Sequence, residues 1–218
     1  TTKVMSQNAV TTAINTALEK ADTLEAKLNE NIVKDPSKTY LVWKGNQFPN
    51  SDYATFKAPA GCTIDWGDGN VETFETASAK VNTHTYTDGI EYHLITLSNY
   101  KAFSNDAFFN CRRLTSITIP DSVTSIGDYV FHNCIGLTSI IIGNGVTSIG
   151  NNAFEKSSGL KTIRISAINP PTLGSNAFET SLEKIIVPKS SIDAYKSADR
   201  WSTYADKIVY EVDSSDLS

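Results

Sequence analysis

Three stretches of the chain differ in the spacing of their hydrophobic residues, and each spacing predicts a different structure. Residues 6–32 contain no Pro or Gly, and apolar or small residues recur there at alternating steps of 4 and 3. This spacing is typical of a coiled-coil seam, which a single helix cannot bury alone. The seam consists of Val10, Ile14, Ala17, Ala21, Leu24 and Leu28.

We therefore predict that residues 1–38 form a helical coiled-coil stalk. Pro36 ends the helix, because proline disfavours a helical conformation of the residue before it. Through residues 6–32 the stalk joins copies of the chain into a homo-oligomer. A trimer is favoured, although Ile, Ala and Leu at the seam do not decide the number of strands. The alternative is a helix that folds back and packs on its own domain.

Residues 39–98 have the two-residue alternation of β-strands and predict a small β-sandwich. Residues 40–43 are rich in strand formers, and Ile64 and Trp66 alternate with polar neighbours. Asp68 and Gly69 then supply the positive φ angles of a tight hairpin. Residues 84–97 are interpreted as a strand, a turn and a final strand.

Residues 99–218 contain an internal repeat with a period of 23 residues. Units of this size are too small to bury their own Phe, Leu and Ile side chains, so successive coils are expected to stack into a solenoid with one continuous core. An amphipathic segment at about residues 190–206 is predicted to be a helix that caps the array. The repeated positions are Phe108, Phe131 and Phe154; Leu114, Leu137 and Leu160; Ile117, Ile140 and Ile163; and Ile119, Ile142 and Ile165.

Between the buried positions of each repeat strand, polar side chains are expected to point outward in columns. These columns are the candidate binding residues, because a rigid strand presents its side chains without a further entropic cost on binding. Two isoleucines at positions expected to be exposed favour a contact surface. The alternative is an ordinary solvated sheet. The columns are Ser116, Ser139, Thr162 and Lys184, and then Thr118, Ile141, Arg164 and Ile186.

Composition narrows the classes of function. The 218 residues are 40% hydrophobic and 20% charged with a net charge of -5, which is typical of a folded protein. No apolar stretch approaches the ~18 residues of a membrane span, so we expect no membrane insertion. The acidic balance and the lack of a basic stripe argue against a nucleic-acid partner. The chain opens at Thr1 without a visible signal peptide, and we interpret it as a piece of a larger protein.

The sequence contains no motif for catalysis, and we expect no enzyme activity, no cofactor and no metal site. Phosphate loops, zinc-binding helices and nucleophile elbows are missing. Asp65 and Asp68 are considered as calcium ligands, but the favoured interpretation is turn carboxylates that bind their own backbone. His84 is expected to be a hydrogen-bonded strand residue, and His132 has no visible catalytic partner.

The cysteines Cys62, Cys111 and Cys134 are too few for a disulfide framework. Cys111 and Cys134 should lie one above the other in adjacent coils, close enough for a disulfide on distance alone. The favoured interpretation is a column of small buried thiols, in which Ser157 takes the third place.

Three segments resemble known families. Residues 64–69 (IDWGDG), followed by His84, Tyr86, Gly89 and Tyr92, resemble the PKD family of immunoglobulin-like sandwiches, which implies a spacer or interaction module. Residues 125–127 (SIG) and 137–140 (LTSI) resemble the BspA-like leucine-rich repeats of bacterial surface proteins. Residues 2–10 (TKVMSQNAV) resemble a segment that precedes coiled stalks in tail-fibre-type proteins of gut phages.

These patterns together predict a multidomain, mainly β protein with a stalk at 1–38, a PKD-like sandwich at 39–98 and BspA-like repeats at 99–218. The resemblances imply an extracellular adhesion protein, either on a virion tail or on a bacterial cell surface. Its partner would be a host or bacterial surface protein or glycan. A tail-fibre-type receptor-binding protein is the first expectation, a secreted or cell-surface bacterial adhesin is the alternative, and a glycan-active enzyme is a remote third.

Overall fold

The structure is a computed structural model, and it describes residues 37–45, 53–75, 82–86 and 92–210. The seam predicted at residues 6–32 lies outside the described residues. Within the described ranges the chain is almost entirely β, with one short helix, α1 (Ile192–Ser197). The strands are β1 (Thr39–Lys44), β2 (Tyr53–Phe56), β3 (Thr63–Asp65), β4 (Val71–Thr73), β5 (Asn82–Thr85), β6 (Tyr92–Ser98), β7 (Ala102–Phe103), β8 (Leu114–Ile119), β9 (Ser125–Ile126), β10 (Ser139–Ile142), β11 (Ser148–Ile149), β12 (Thr162–Ile165), β13 (Thr172–Leu173), β14 (Lys184–Ile186) and β15 (Ile208–Val209).

Nine of the described strands form one sheet, in the order β15-β14-β12-β10-β8-β1-β6-β3-β4. In this sheet β8, β10, β12 and β14 are parallel, one for each coil of the repeat, and β15 pairs parallel with β14. The neighbours β1-β6-β3-β4 of this sheet pair antiparallel. β1 joins this antiparallel part to the parallel part, because it pairs with both β6 and β8. The same sheet therefore continues from the middle segment into the repeat.

The prediction of a separate sandwich at residues 39–98 is corrected by this topology. Leu41 in β1 lies opposite Ile95 in β6 on one side and Ile117 in β8 on the other, and all three side chains belong to one core. The pair β2-β5 adds a small second layer, in which the Phe56 ring contacts the rings of Trp66 and Phe108. The chain from Ser37 onward is one compact unit. Residue 98 is therefore not a boundary between two cores.

The repeat phenylalanines form a ladder through this core. Phe108, Phe131, Phe154 and Phe178 stack in sequence, with ring centroids 5.3, 5.1 and 5.6 Å apart. Parallel strands of successive coils are about 4.8 Å apart, so residues 23 positions apart meet face to face. Each added coil extends one core, as the period predicts.

A second, four-stranded sheet (β13-β11-β9-β7) forms another wall of the coils. A glycine directly follows β9, β11 and β13, at Gly127, Gly150 and Gly174 respectively. A Cβ atom built on Gly150 would lie 2.5 Å from the backbone carbon of Gly127, and one on Gly174 would lie 2.3 Å from that of Gly150. Adjacent coils approach so closely at this corner that no side chain fits between them.

The C-terminal cap differs from the predicted helix at about residues 190–206. Only Ile192–Ser197 are α-helical, because Ala198 is extended and Arg200 takes a left-handed conformation with φ 62°. Short 3-10 turns lie on either side at Lys189–Ser191 and Trp201–Tyr204. The capping role is retained, since Trp201 is buried, contacts the Phe178 ring and donates a hydrogen bond to the Pro171 carbonyl. The sequence prediction did not include β15, which adds a last strand to the sheet.

Candidate ligand-binding face

The predicted outward columns lie on the face of the nine-stranded sheet that is opposite the core, here called the outer face. Because strand residues alternate between the two faces, the buried Ile117, Ile140 and Ile163 place their neighbours on this side. The registers align both columns as predicted: Ser116-Ser139-Thr162-Lys184 and Thr118-Ile141-Arg164-Ile186.

The structure extends both columns beyond the repeat. Tyr40 in β1 pairs with Thr118, and Val209 in β15 pairs with Ile186. Val42 continues the other column beside Ser116. These three residues could not be predicted from the sequence, because no period relates β1 or β15 to the coils that they pair with.

Exposure along the outer face differs from the prediction at one end. Thr118, predicted to point into solvent, is 6% exposed, and its neighbours Tyr40 and Val42 are also buried. Ile141, Arg164 and Ile186 are half-buried, and so are Ser116 and Thr162, whereas Ser139 and Lys184 are exposed. The accessible part of the face is therefore its centre and its C-terminal end.

The chemistry of this part is suited to binding. Arg164 lies between Ile141 and Ile186, so a planar guanidinium group is set between apolar side chains. Guanidinium groups in this setting bind carboxylates in a bidentate manner or stack on aromatic rings. Hydroxyl groups of the neighbouring column add donors and acceptors of hydrogen bonds.

Asp65 and Asp68 are occupied by the turn between β3 and β4. Asp65 accepts a hydrogen bond from the Gly67 amide at 2.9 Å, and Asp68 accepts one from the Asn70 amide at 3.0 Å. These contacts agree with the interpretation as turn carboxylates. The positive φ angles lie at Gly67 (83°) and Gly69 (95°), not at Asp68 as predicted.

His84 also contacts Asp68. Its Nε2 lies 2.7 Å from Asp68 Oδ2, and its ring stacks on Trp66 with centroids 4.7 Å apart. Burial alone would raise the pKa of Asp68, but the hydrogen bonds from His84 and Asn70 outweigh burial and lower the pKa below its ordinary value. This cluster holds β5 against the β3–β4 hairpin, so we interpret its role as structural.

The three cysteines, all within the described residues, are buried, and the structure contains no disulfide between Cys111 and Cys134. Burial raises the pKa of Cys62 and of Cys134 to about 12 and also raises the pKa of Cys111. The thiolate is the reactive form of cysteine, so burial and a raised pKa both disfavour reaction of these side chains.

Within the described ranges, no three His, Cys, Asp or Glu side chains are grouped closely enough to hold a metal ion. No helix in the same ranges has the length and apolar character needed to cross a membrane. A shallow depression of ≈ 320 Å³ lies away from the outer face and is lined by Asn144, Val146, Thr147, Ile168, Asn169 and Pro170.

Stacked coils with one parallel strand each and a shared ladder of apolar residues define a leucine-rich-repeat solenoid. Residues 96–199 match the family described as BspA type leucine rich repeat region, in 6 copies. That part of the chain is therefore similar to BspA-type leucine-rich repeats, in agreement with the resemblance of its motifs.

The chain is similar to a leucine-rich repeat protein from Bacteroides ovatus of known crystal structure, with 26% sequence identity and a TM-score of 0.38. The similarity covers 61% of this chain and 35% of that protein's chain. The curated proteins contain no match to this chain.

Proposed function

We propose that this chain is a non-enzymatic recognition protein, displayed on or secreted from a bacterial cell, that binds a protein or glycan of another surface. The observation that carries the proposal is the in-register row Ile141-Arg164-Ile186 on the outer face. Apolar side chains around a guanidinium group, held on rigid parallel strands, lose little conformational entropy on binding. The BspA-type repeat region supports the same class of function.

The bacterial adhesin is preferred over the tail-fibre protein that the sequence analysis placed first. The tail-fibre interpretation depends on residues 2–10, which lie outside the described residues. The repeat family supports the alternative, because its members are typically surface-exposed or secreted binding proteins.

Charge reversal on the outer face tests the proposal. Labelled full-length chain would be added to intact bacterial cells and to animal epithelial cells, and bound fluorescence measured. We expect Ile141→Asp combined with Arg164→Glu to reduce binding roughly tenfold or more, the scale of losing a central interface residue. Ile168→Asp is the matched control, because Ile168 is exposed and lies outside the face. Binding that is unchanged in the double variant, with its folding verified by circular dichroism, would contradict the proposal.

We also propose that copies of the chain self-associate through residues 6–32. The support is the heptad spacing of the seam residues in the sequence. Ile14→Asp combined with Leu24→Asp in the full chain should convert an oligomer, expected to be a trimer, into a monomer by light scattering. A monomeric parent chain would contradict this proposal. It would not bear on the proposal that the outer face binds a ligand.

A further inference from the structure

Exposed apolar side chains concentrate on one surface of the first two coils, away from the outer face. Five large hydrophobic residues of the described ranges are exposed, and three of them lie in the turns that lead into β8 and β10. Their exposed fractions are 42% for Phe109, 39% for Tyr129 and 45% for Ile135. Scattered exposure of single apolar residues is ordinary, so the arrangement of the two aromatic residues is what distinguishes this surface.

The aromatic members of this cluster are arranged around His132. The Phe109 ring stacks on the His132 ring with centroids 5.0 Å apart and an angle of 2° between the planes. Tyr129 meets the same imidazole edge-on, with centroids 5.6 Å apart. The stacked pair arises from the repeat, because Phe109 and His132 occupy the same position of successive coils. We call Phe109, Tyr129 and His132 the aromatic platform.

The platform is maintained against local backbone preference. Tyr129 has a φ of 56°, in the left-handed region, where the equivalent positions of other coils hold Asp106, Asn152 and Asn176. Asn and Asp tolerate this conformation, whereas a bulky side chain there is a genuine outlier. In addition, Nδ1 of His132 is buried and has no hydrogen-bond partner. Residues that break local rules in this way concentrate at functional sites.

Glu155 contacts the platform through His132, and two asparagines adjoin Phe109 and His132 in the sequence. Nε2 of His132 lies 3.4 Å from Glu155 Oε2, and the Glu155 side chain is 34% exposed. Asn133 donates a hydrogen bond to Asn110 Oδ1 at 2.6 Å across the same two coils. The carboxylate and the two side-chain amides provide the acceptors and donors that a ligand rich in hydroxyl groups requires.

The size of the platform favours a small ligand over a protein. Phe109 and Tyr129, each exposed by about two-fifths, present on the order of 150–200 Å² of surface, and the His132 ring beside them is only 8% exposed. A stable protein partner needs about 800 Å² on each side. One or two sugar rings match the smaller area, because the C–H bonds on one face of a pyranose are weakly positive and pack against the negative face of an aromatic ring. The carboxylate of Glu155 disfavours an anionic sugar.

We propose that the aromatic platform, bordered by Glu155 and the Asn110–Asn133 pair, is a binding site for a neutral glycan. The site is separate from the outer face, so charge reversal at Ile141 and Arg164 leaves it intact. It gives the chain a second means of attachment to a sugar-coated surface.

Saturation-transfer-difference NMR on the full chain tests this proposal. The probes are the methyl glycosides of galactose, glucose, mannose and N-acetylglucosamine, with N-acetylneuraminic acid as the anionic comparison. We expect at least one neutral glycoside to bind with a dissociation constant on the order of 1 mM, which is reasonable for about 13 non-hydrogen atoms. Saturation should be strongest on the protons of one ring face, and the anionic sugar should bind more weakly.

Two variants and a control make the test specific. Phe109→Ala should weaken binding roughly tenfold or more, as truncation of an anchoring aromatic residue does. Tyr129→Asn should also weaken binding, yet raise the melting temperature by roughly 2–4 °C, because Asn suits the left-handed backbone. Ile168→Ala, at an exposed isoleucine outside the platform, should change neither glycoside binding nor the melting temperature.

Three results would overturn the proposal. The first is the lack of saturation transfer to every neutral glycoside, and the second is a signal of equal strength in Phe109→Ala. The third is self-association or peptide binding that depends on Phe109 while sugars do not bind.

Discussion

Ser157 shows how one buried residue substitutes for the cysteines of the repeat. In the preceding coil, the Cys134 thiol donates a hydrogen bond to the Phe108 carbonyl at 3.0 Å. Ser157, one period later, donates to the Phe131 carbonyl at 2.6 Å and accepts from the Cys134 amide at 3.0 Å. The position therefore requires a small side chain with a hydrogen to donate, which both thiol and hydroxyl groups supply.

Ser157→Ala should lower the free energy of unfolding by about 1–3 kcal/mol, because it leaves two buried backbone groups without partners. Ser157→Cys should cost less, since cysteine occupies this place in the coil before. Urea denaturation measures both changes, with Ser158→Ala at the exposed neighbouring serine as the control. Equal stability of Ser157→Ala and the control would contradict the assigned contacts.

The Asp68–His84 contact predicts a dependence of stability on pH. The pKa of Asp68 is lower in the folded chain than in the unfolded chain, where it is about 4. The carboxylate therefore stabilises the fold above the unfolded pKa, and this contribution is lost as the pH falls through the folded pKa. Below about pH 4 the parent chain should lose more stability than Asp68→Asn, which keeps the turn acceptor but carries no charge.

Urea denaturation between about pH 6 and about pH 3 measures this difference. Parallel pH profiles for the parent and Asp68→Asn would show that the carboxylate contributes nothing through its charge. Asp65→Asn is the matched control, because Asp65 forms the same kind of turn contact without a histidine partner in the structure.

At the scale of elements, the 23-residue period of the sequence predicted which strands of the repeat pair and in which register. Positions 23 residues apart became paired residues of adjacent parallel strands, so the outer-face columns and the phenylalanine ladder were predictable. The pairing of β1 with β8 was not, because their register depends on contacts between unrelated segments. The length of α1 was also overestimated, since amphipathic spacing does not reveal the left-handed turn at Arg200.

The tyrosine at position 129 was missed for a similar reason. Its sequence neighbourhood gives no sign that the backbone takes a left-handed conformation there. The 23-residue period aligns Tyr129 with Asp106 and Asn152, but the left-handed conformation that these positions share is seen only in the structure. Its proximity to Phe109 and His132 follows from the stacking of coils and not from any local motif.

Adjacent coils pack closely where Gly127, Gly150 and Gly174 follow the strands of the second sheet, so we expect substitution of these glycines to destabilise the protein. Gly150→Ala should destabilise the protein by about 1–3 kcal/mol or more, because its Cβ would collide with the backbone of the preceding coil. Gly69→Ala is the comparison: its Cβ would meet no atom within 4 Å, so only the strain of its φ of 95° applies. Thermal unfolding of the two variants measures the difference, and an unchanged melting temperature for Gly150→Ala would contradict the packing.

At the scale of the whole described unit, an open solenoid is closed at both ends by different means. The antiparallel strands β1, β6, β3 and β4 cover one end, and the helix with β15 covers the other. A solenoid needs such caps because its terminal coils would otherwise expose their core. The aromatic ladder continues into both caps, from Phe56 beside Phe108 to Trp201 beside Phe178.

The middle segment and the repeats share one sheet and one core, so we expect them to unfold as one unit and to hold the outer face rigid from β1 to β15. Native-state hydrogen exchange on the full chain tests this most directly. We predict that the slowest amides of β1, β6 and β8 exchange with the same opening free energy and the same dependence on denaturant. Exchange of β1 and β6 through a separate opening of lower free energy, with β8 still protected, would contradict the claim and restore an independent domain at residues 39–98.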